Sequence, residues 1–384
     1  MLTSRLAPAL LLPALLLGTP SSALADAGYD KGFKIASDDD GKSYSLTING
    51  LLQAQFNLLA TEDGVGKSND TYAFELTRAR IILKGHLGSK ALTFKLFPDM
   101  GKGAGFMLRE FYVNYAFSDA VQLRVGQWKR PLSRQFLASS STLGFVDRAL
   151  TEKAFGTGFD IGLALHNNYE ASPELEWVVG LFNGPGDVPK ASGTVAVPAG
   201  ATSGTLGSFS TTNVPKQVYP VVVARVGYNV GAMKGEGYTE LDLNPDKGFR
   251  LGVAASGLFD LGLDDEVGAI VGGFDFVLKH SGFTALGNVF ARTITGDDGG
   301  FDAFGVQVDA SYVIGGTVAP MVRFARVMPD DDTKATTQEL ALGAAVLFSG
   351  HSLKWVTDVA AMGSEVGGDS TTDWRVRTQL QTAF

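Results

Sequence analysis

The stretch 374–384, WRVRTQLQTAF, decides the fold. Trp374, Val376, Thr378, Leu380, Thr382 and Phe384 alternate with Arg375, Arg377, Gln379, Gln381 and Ala383. Side chains of a strand point alternately to opposite faces, so this is one apolar face and one polar, basic face. The final strand of a soluble sandwich would show the same alternation. Two arginines on one face and a closing phenylalanine on the other need a further reason, and the rest of the chain supplies it.

Residues 1–25 read as a secretory signal. Arg5 gives a positive start, Leu6 to Leu17 is apolar, and Ala23-Leu24-Ala25 is a small-x-small cleavage site. The apolar run contains Pro8 and Pro13 and is shorter than the ~20 residues of a spanning helix. No later segment reaches the ~18 consecutive apolar residues of a membrane helix. The expected organisation is a cleaved signal over 1–25, a periplasmic lead-in over 26–43, and one domain over 44–384. The chain has no cysteine, 48 glycines and a net charge of −8. Such glycine content suits many strands and turns, and the negative charge argues against nucleic acid as a partner.

Alternating segments recur from 44–59 and 73–87 through to 353–362 and 374–384, about 16 in all, the pattern of an antiparallel transmembrane β-barrel. Tight turns such as Ser281-Gly282 and Ser349-Gly350 take turns with long polar loops at 60–72, 98–107, 130–159, 184–218, 260–266, 294–302, 328–336 and 363–373. An even strand count returns the chain to its starting side. One stretch breaks the rule: 229–248 is long where a short turn is due, and it reads as an extended hairpin or a miscounted strand.

The faces say which solvent lies where. In 44–59, Leu46, Ile48, Leu52, Ala54, Phe56 and Leu58 oppose Ser45, Thr47, Asn49, Gln53, Gln55 and Asn57. A barrel in lipid turns the apolar set outward and keeps the polar set around water, because unpaired backbone groups are intolerable in hydrocarbon. Phe384 then sits at the membrane interface, where aromatic rings are favoured. In ending on a phenylalanine after such a strand the chain also resembles outer-membrane proteins, which present that residue to their assembly machinery; alternation by itself does not show this.

The segment 121–166 carries a more specific likeness. Gly126-Gln127-Trp128-Lys129 ends a strand, Pro131 follows, then a Ser/Leu/Phe-rich loop, the pair Asp147-Arg148, and a return at Gly158-Phe159-Asp160-Ile161-Gly162. It resembles the phosphate-selective porin O and P family. The resemblance implies a trimeric 16-stranded barrel in the Gram-negative outer membrane that passes small anions, phosphate or similar oxyanions among them, passively and without a cofactor. Lys129-Arg130-Pro131-Leu132 departs from the family, which more commonly has an aromatic after the proline, so phosphate selectivity is not inherited by name.

A pore selects charge by what lines its narrow part, and cationic rings favour anions. Segment 130–159 is the third long loop, the one that folds inward as a constriction in general porins. Lys129 at its entry and Arg130, Arg134, Arg148 and Lys153 within it face Asp147 and Glu152, and Ser139, Ser140 and Ser141 add hydroxyl donors. On the strands, Arg78, Arg80 and Lys84 share one face of 73–87, and Arg124, Arg375 and Arg377 also fall on the polar side. These eleven cations are the candidate pore-lining, anion-binding residues. Arginine suits the task because its planar fork meets an oxyanion at two points. The alternatives are a non-selective pore in which these charges pair with one another, and a structural barrel plugged by its own loops.

Other chemistry lacks its residues. His86, His166, His280 and His351 lie on separate segments without metal-ligand spacing. The acidic run at 330–339 lacks the glycine and terminal glutamate spacing of a calcium loop. "GTGFDIG" at 156–162 opens a strand rather than a helix, so it is no nucleotide site. An enzyme is not expected.

Overall fold

Each alternating segment does become a strand, because only a closed ladder satisfies every backbone N–H and C=O in lipid. The computed structural model describes residues 26–384 except 30–31, 40, 62–69, 102–105, 157, 185, 187–189, 197–204, 216–217, 262–267 and 296–299. The expected signal segment lies outside them, as do parts of the loops expected at 60–72, 98–107, 184–218, 260–266 and 294–302.

The wall begins with β3 (Lys42–Ala60), β4 (Thr71–Leu87), β5 (Ser89–Asp99), β6 (Met107–Ala116), β7 (Gln122–Lys129), β8 (Phe159–His166) and β9 (Leu175–Phe182). It continues through β12 (Val221–Val230), β13 (Arg250–Asp260), β14 (Gly268–His280), β15 (Phe283–Thr295) and β16 (Phe301–Tyr312). It ends with β17 (Val318–Pro329), β18 (Thr336–Ser349), β19 (Leu353–Val366) and β20 (Asp369–Ala383). Each pairs antiparallel with its neighbour, β9 pairs with β12, and β20 returns to β3, closing a 16-strand barrel. In the chain between β9 and β12, β10 (Lys190–Ala196) and β11 (Thr205–Thr212) pair with each other as a separate two-stranded hairpin.

Before the barrel, β1 (Asp26–Tyr29) pairs with β2 (Phe33–Asp39), and β2 pairs with the first part of β3. That hairpin occupies the β3 edge where β20 has already ended. Phe384 exchanges backbone hydrogen bonds with Gly50, and its ring meets Phe33 edge-on at 5.8 Å between centroids. A Cβ on Gly50 would lie 2.3 Å from that ring, so the close approach requires glycine.

Two connections depart from expectation. The polar run 363–373 is not a long loop: β19 and β20 extend through it to a two-residue turn, Gly367-Gly368, both with positive φ (58° and 91°). Such a turn matches strand twist, and its glycines adopt those angles without steric cost. The stretch 229–248 is neither a hairpin nor a lost strand. β12 ends at Val230, β13 begins at Arg250, and the 231–249 connection folds into the barrel from the short-turn end, with Met233, Leu241 and Asp242 at 1%, 1% and 0% exposure.

That infolding, together with segment 130–158 from the other end, corrects the picture of an open, water-filled lumen. Along β17 the inward residues Ala319, Arg323 and Ala325 are fully buried, while outward Val322 and Phe324 are exposed. Inward burial without an opposing wall requires something inside. Leu132, Leu137 and Phe155 of the first segment pack on Val178, Phe182, Val223 and Phe290, and Phe145, Val146 and Leu241 pack on Ala341, Ala345 and Ala360. Gly305 makes room for this filling: a Cβ there would lie 2.3 Å from the Phe155 ring. The half of the barrel formed by β12 to β19 is thus a packed core.

Candidate ion pathway

The space left over runs along the β3–β6 wall. It measures about 1080 Å³ and is lined from Gly101, Met107 and Arg109 near the loop end to Lys84, Ser352 and Phe384 at the turn end.

The β4 contribution depends on a bulge. Register with β3 shifts between Gln53 and Ala54, so Thr77 and Arg78 both turn inward. Thr77 donates to Gln55 at 2.8 Å and Arg78 to Gln53 at 2.7 Å. A bulged strand carries one extra residue and changes which face its later side chains reach. Tyr72, Phe74 and Leu76 point to lipid before it, Ile81 after it. Arg78, Arg80 and Lys84 therefore enter the channel together.

The opposite wall is segment 130–158 with its short helices α1 (Arg134–Leu137) and α2 (Leu150–Phe155). Buried ion pairs and hydrogen bonds anchor it to the strands. Arg134 Nε donates to Asp275 at 2.9 Å, Arg130 Nη2 to Asp160 at 2.6 Å, and Lys354 to the Leu143 carbonyl at 2.6 Å. The loop amides of Val146 and Leu150 donate to Asp358 and Glu339, at 3.2 and 3.0 Å. Asp147 accepts from Arg78 Nη2 at 2.9 Å. Burial pushes its carboxyl up, but Arg78, Arg377 and Arg148 outweigh that and hold it well below the usual carboxylate range.

The last carbonyls of a helix have no partner within it. Here they face the channel and take cations. Lys129 Nζ donates to the Phe136, Leu137 and Ala138 carbonyls at 2.8, 3.0 and 2.9 Å. Arg148 Nε donates to the Gln135 carbonyl at 2.9 Å, and its Nη2 donates to that of Ala138 at 2.7 Å. Carbonyls orient these cations without cancelling their charge. Neither forms an ion pair with a carboxylate among the described residues, nor does Lys84.

The eleven expected residues therefore separate. Arg78, Arg80, Lys84, Lys129 and Arg148 border the channel, with Ser139, Ser140 and Ser141 beside them and Ser140 bonded to Arg80. Arg124 is buried against Glu170 at 3.1 Å and over the Tyr112 ring; Arg130 and Arg134 are loop anchors. Arg375 pairs with Glu339 at 2.6 Å and Arg377 with Asp358 at 2.8 Å, away from the channel. Lys153 is exposed on α2. Two channel cations lie outside those eleven: Lys95, which the alternation of 91–97 already puts on the polar side, and Arg109, which alternation does not put there. Lys95 pairs with Glu110 at 2.6 Å, and Arg109 shares Asp99 with Arg80, at 3.9 and 2.8 Å. Arg109 falls on the outward parity of its strand, but the β5–β6 register shift at Phe97/Pro98 re-aims it. Among the described residues no three His, Asp or Glu side chains converge as a metal site.

A family model described as phosphate-selective porin O and P matches residues 46–225. An anion-selective porin from Comamonas acidovorans has a similar structure, at 14% identity and TM-score 0.58 over 89% of this chain and 100% of that one. The outer-membrane channel DcaP of Acinetobacter baumannii is similar at 14% identity and TM-score 0.58, covering 89% and 97%. A loop-L8 deletion mutant of Vibrio cholerae OmpT follows at 10% identity and TM-score 0.56, covering 88% and 99%. At such identities the likeness is one of fold. No curated protein sequence matches the chain. The matched segment, a little under half of the chain, holds the 130–158 loop and most of the β3–β7 channel wall, and it resembles the phosphate-selective porin O and P family, on a barrel of the Gram-negative outer-membrane kind.

Proposed function

We propose that this porin lets small anions, oxyanions such as phosphate included, diffuse passively through the β3–β6 channel. The reading rests on one observation: Lys84, Lys129 and Arg148 border the space without a carboxylate partner among the described residues, next to the hydroxyls of Ser139–Ser141. Uncancelled cations in a narrow, partly dehydrated passage favour anions, and hydroxyls replace part of the water an oxyanion sheds. The other cations of the channel share Asp99, Glu110 or Asp147, so the field there is positive on balance. A homotrimer is the assembly we infer; a Vibrio cholerae OmpT structure of related fold is described as a trimer form. The outer-membrane assembly machinery is a further partner we infer, with Phe384, half exposed beside Phe33, as the residue for it to read.

In a planar bilayer under a potassium chloride gradient, the zero-current potential is expected on the chloride side. A potassium-side value would overturn anion preference, and an absence of channel steps would favour a structural barrel. Lys84→Glu is the cheapest perturbation, since the residue is exposed and makes no ion pair among the described residues. It is expected to move the potential toward potassium while changing stability by no more than about 0.5 kcal/mol. Unchanged selectivity in this variant would remove Lys84 from the pathway.

A further inference from the structure

The 231–249 connection contributes Gly235, Tyr238 and Thr239 to the channel lining, but its larger consequence lies in what it holds. Three buried groups fix it inside the barrel. Arg250 donates to Asp242 at 2.7 Å, Lys279 Nζ donates to the Glu236 and Leu241 carbonyls at 3.1 and 3.2 Å, and Asp242 accepts from the Gly282 amide at 2.9 Å. From this rigid base Glu240 reaches the 130–158 loop twice. Its Oε1 accepts from Gln135 Nε2 at 2.9 Å and its Oε2 from the Gly144 amide at 2.7 Å. The Glu240 amide also donates to the Thr142 carbonyl at 3.1 Å.

Gln135 and Gly144 bracket the run 136–142. That run supplies the carbonyls that hold Lys129 and Arg148 and the hydroxyls that face the channel. A carboxylate with both oxygens engaged fixes the distance between the two ends of the bracket. At 5% exposure Glu240 has little water to take over either bond. We propose that Glu240 is a positioning residue: from the short-turn end of the barrel it sets where the constriction loop stands, and so the cross-section of the channel. The proposal takes over the reading of 136–142 as channel lining.

The test compares Glu240→Ala and Glu240→Gln with the unmodified porin in planar bilayers, with heat-modifiable gel mobility reporting the folded barrel. Glu240→Ala is expected to raise single-channel conductance and open-channel current noise and to shift the zero-current potential toward zero. Glu240→Gln keeps one acceptor oxygen and is expected to fall between. If the alanine variant does not fold, the glutamine variant carries the test. Wild-type conductance and noise in the folded variants would overturn the proposal, since a merely stabilising contact would lower the melting temperature and leave the current trace unchanged. A potassium-side potential in the unmodified porin would instead overturn the anion reading, while a noise change in Glu240→Ala would still support the positioning role.

Discussion

Asp275→Ala is expected to destabilise the barrel by about 3–5 kcal/mol, the largest single effect among the interactions described. Asp275 is 2% exposed and serves two guanidiniums at once. Arg225 on β12 meets it through Nη1 at 2.5 Å and Nη2 at 2.9 Å, and Arg134 at the start of α1 meets it through Nε at 2.9 Å and its own amide at 3.2 Å. Arg225 and Arg134 are 2% and 4% exposed, so neither charge can turn to water when the carboxylate is gone. Removing one member of a buried pair costs more than the pair ever contributed, because a bare charge is left behind. The measurement is the temperature at which the purified barrel loses its compact gel mobility. A second consequence separates this from general weakening. Arg134 ties the constriction loop to the wall, so the folded fraction should show noisier currents. The double variant Asp275→Ala, Arg225→Ala should lose less than the sum of its singles, since the two act on one contact. A melting temperature equal to wild type would mean that the loop is held elsewhere.

The barrel itself was legible because lipid imposes a rule on every strand: one face apolar, one polar, with period 2. Trp374 to Phe384 shows that rule, and β17 obeys it with Phe324 outside and Arg323 inside. Short-range pairings were also within reach, since Arg377 and Asp358 face each other across one hairpin. What the alternation could not carry was the interior. Arg134 and Asp275 lie 141 residues apart, and nothing local marks them as partners. The carbonyl cradle around Lys129 exists only because α1 stops at Leu137 and turns its free carbonyls toward the channel. The β4 bulge left a trace that was readable: apolar residues sit at even positions through Leu76 and at odd positions from Ala79. The 231–249 segment left one too. Glu236 and Asp242 are the acids that the inward Arg250 requires, in a stretch whose length had no role as a turn.

The second large effect concerns charge alone. Lys129→Met with Arg148→Leu removes two channel cations that carbonyls hold, with the Phe136 ring beside both and no carboxylate paired to either among the described residues. A unit charge ~6 Å from an ion, at an effective dielectric of ~40, contributes about 1.4 kcal/mol, a factor of about ten in relative occupancy. Each charge attracts an anion and repels a cation, so the anion-to-cation permeability ratio is expected to fall by at least about tenfold for the pair, less at high salt because mobile ions screen the field. The loop carbonyls that lose their donors border a space open to water, which takes over part of their bonding, so folding should suffer less than selectivity. Geometry and charge can be told apart with Lys129→Arg and Arg148→Lys. Each keeps the charge while changing the donor set, since an ammonium is a point charge and a guanidinium a fork. If selectivity survives these exchanges and collapses in the neutral pair, the field of the two cations governs the channel. If the exchanges are as damaging as the neutral variants, what matters is the shape they give the 136–138 carbonyl turn, and the anion preference must then reside in Lys84 and the β4 arginines.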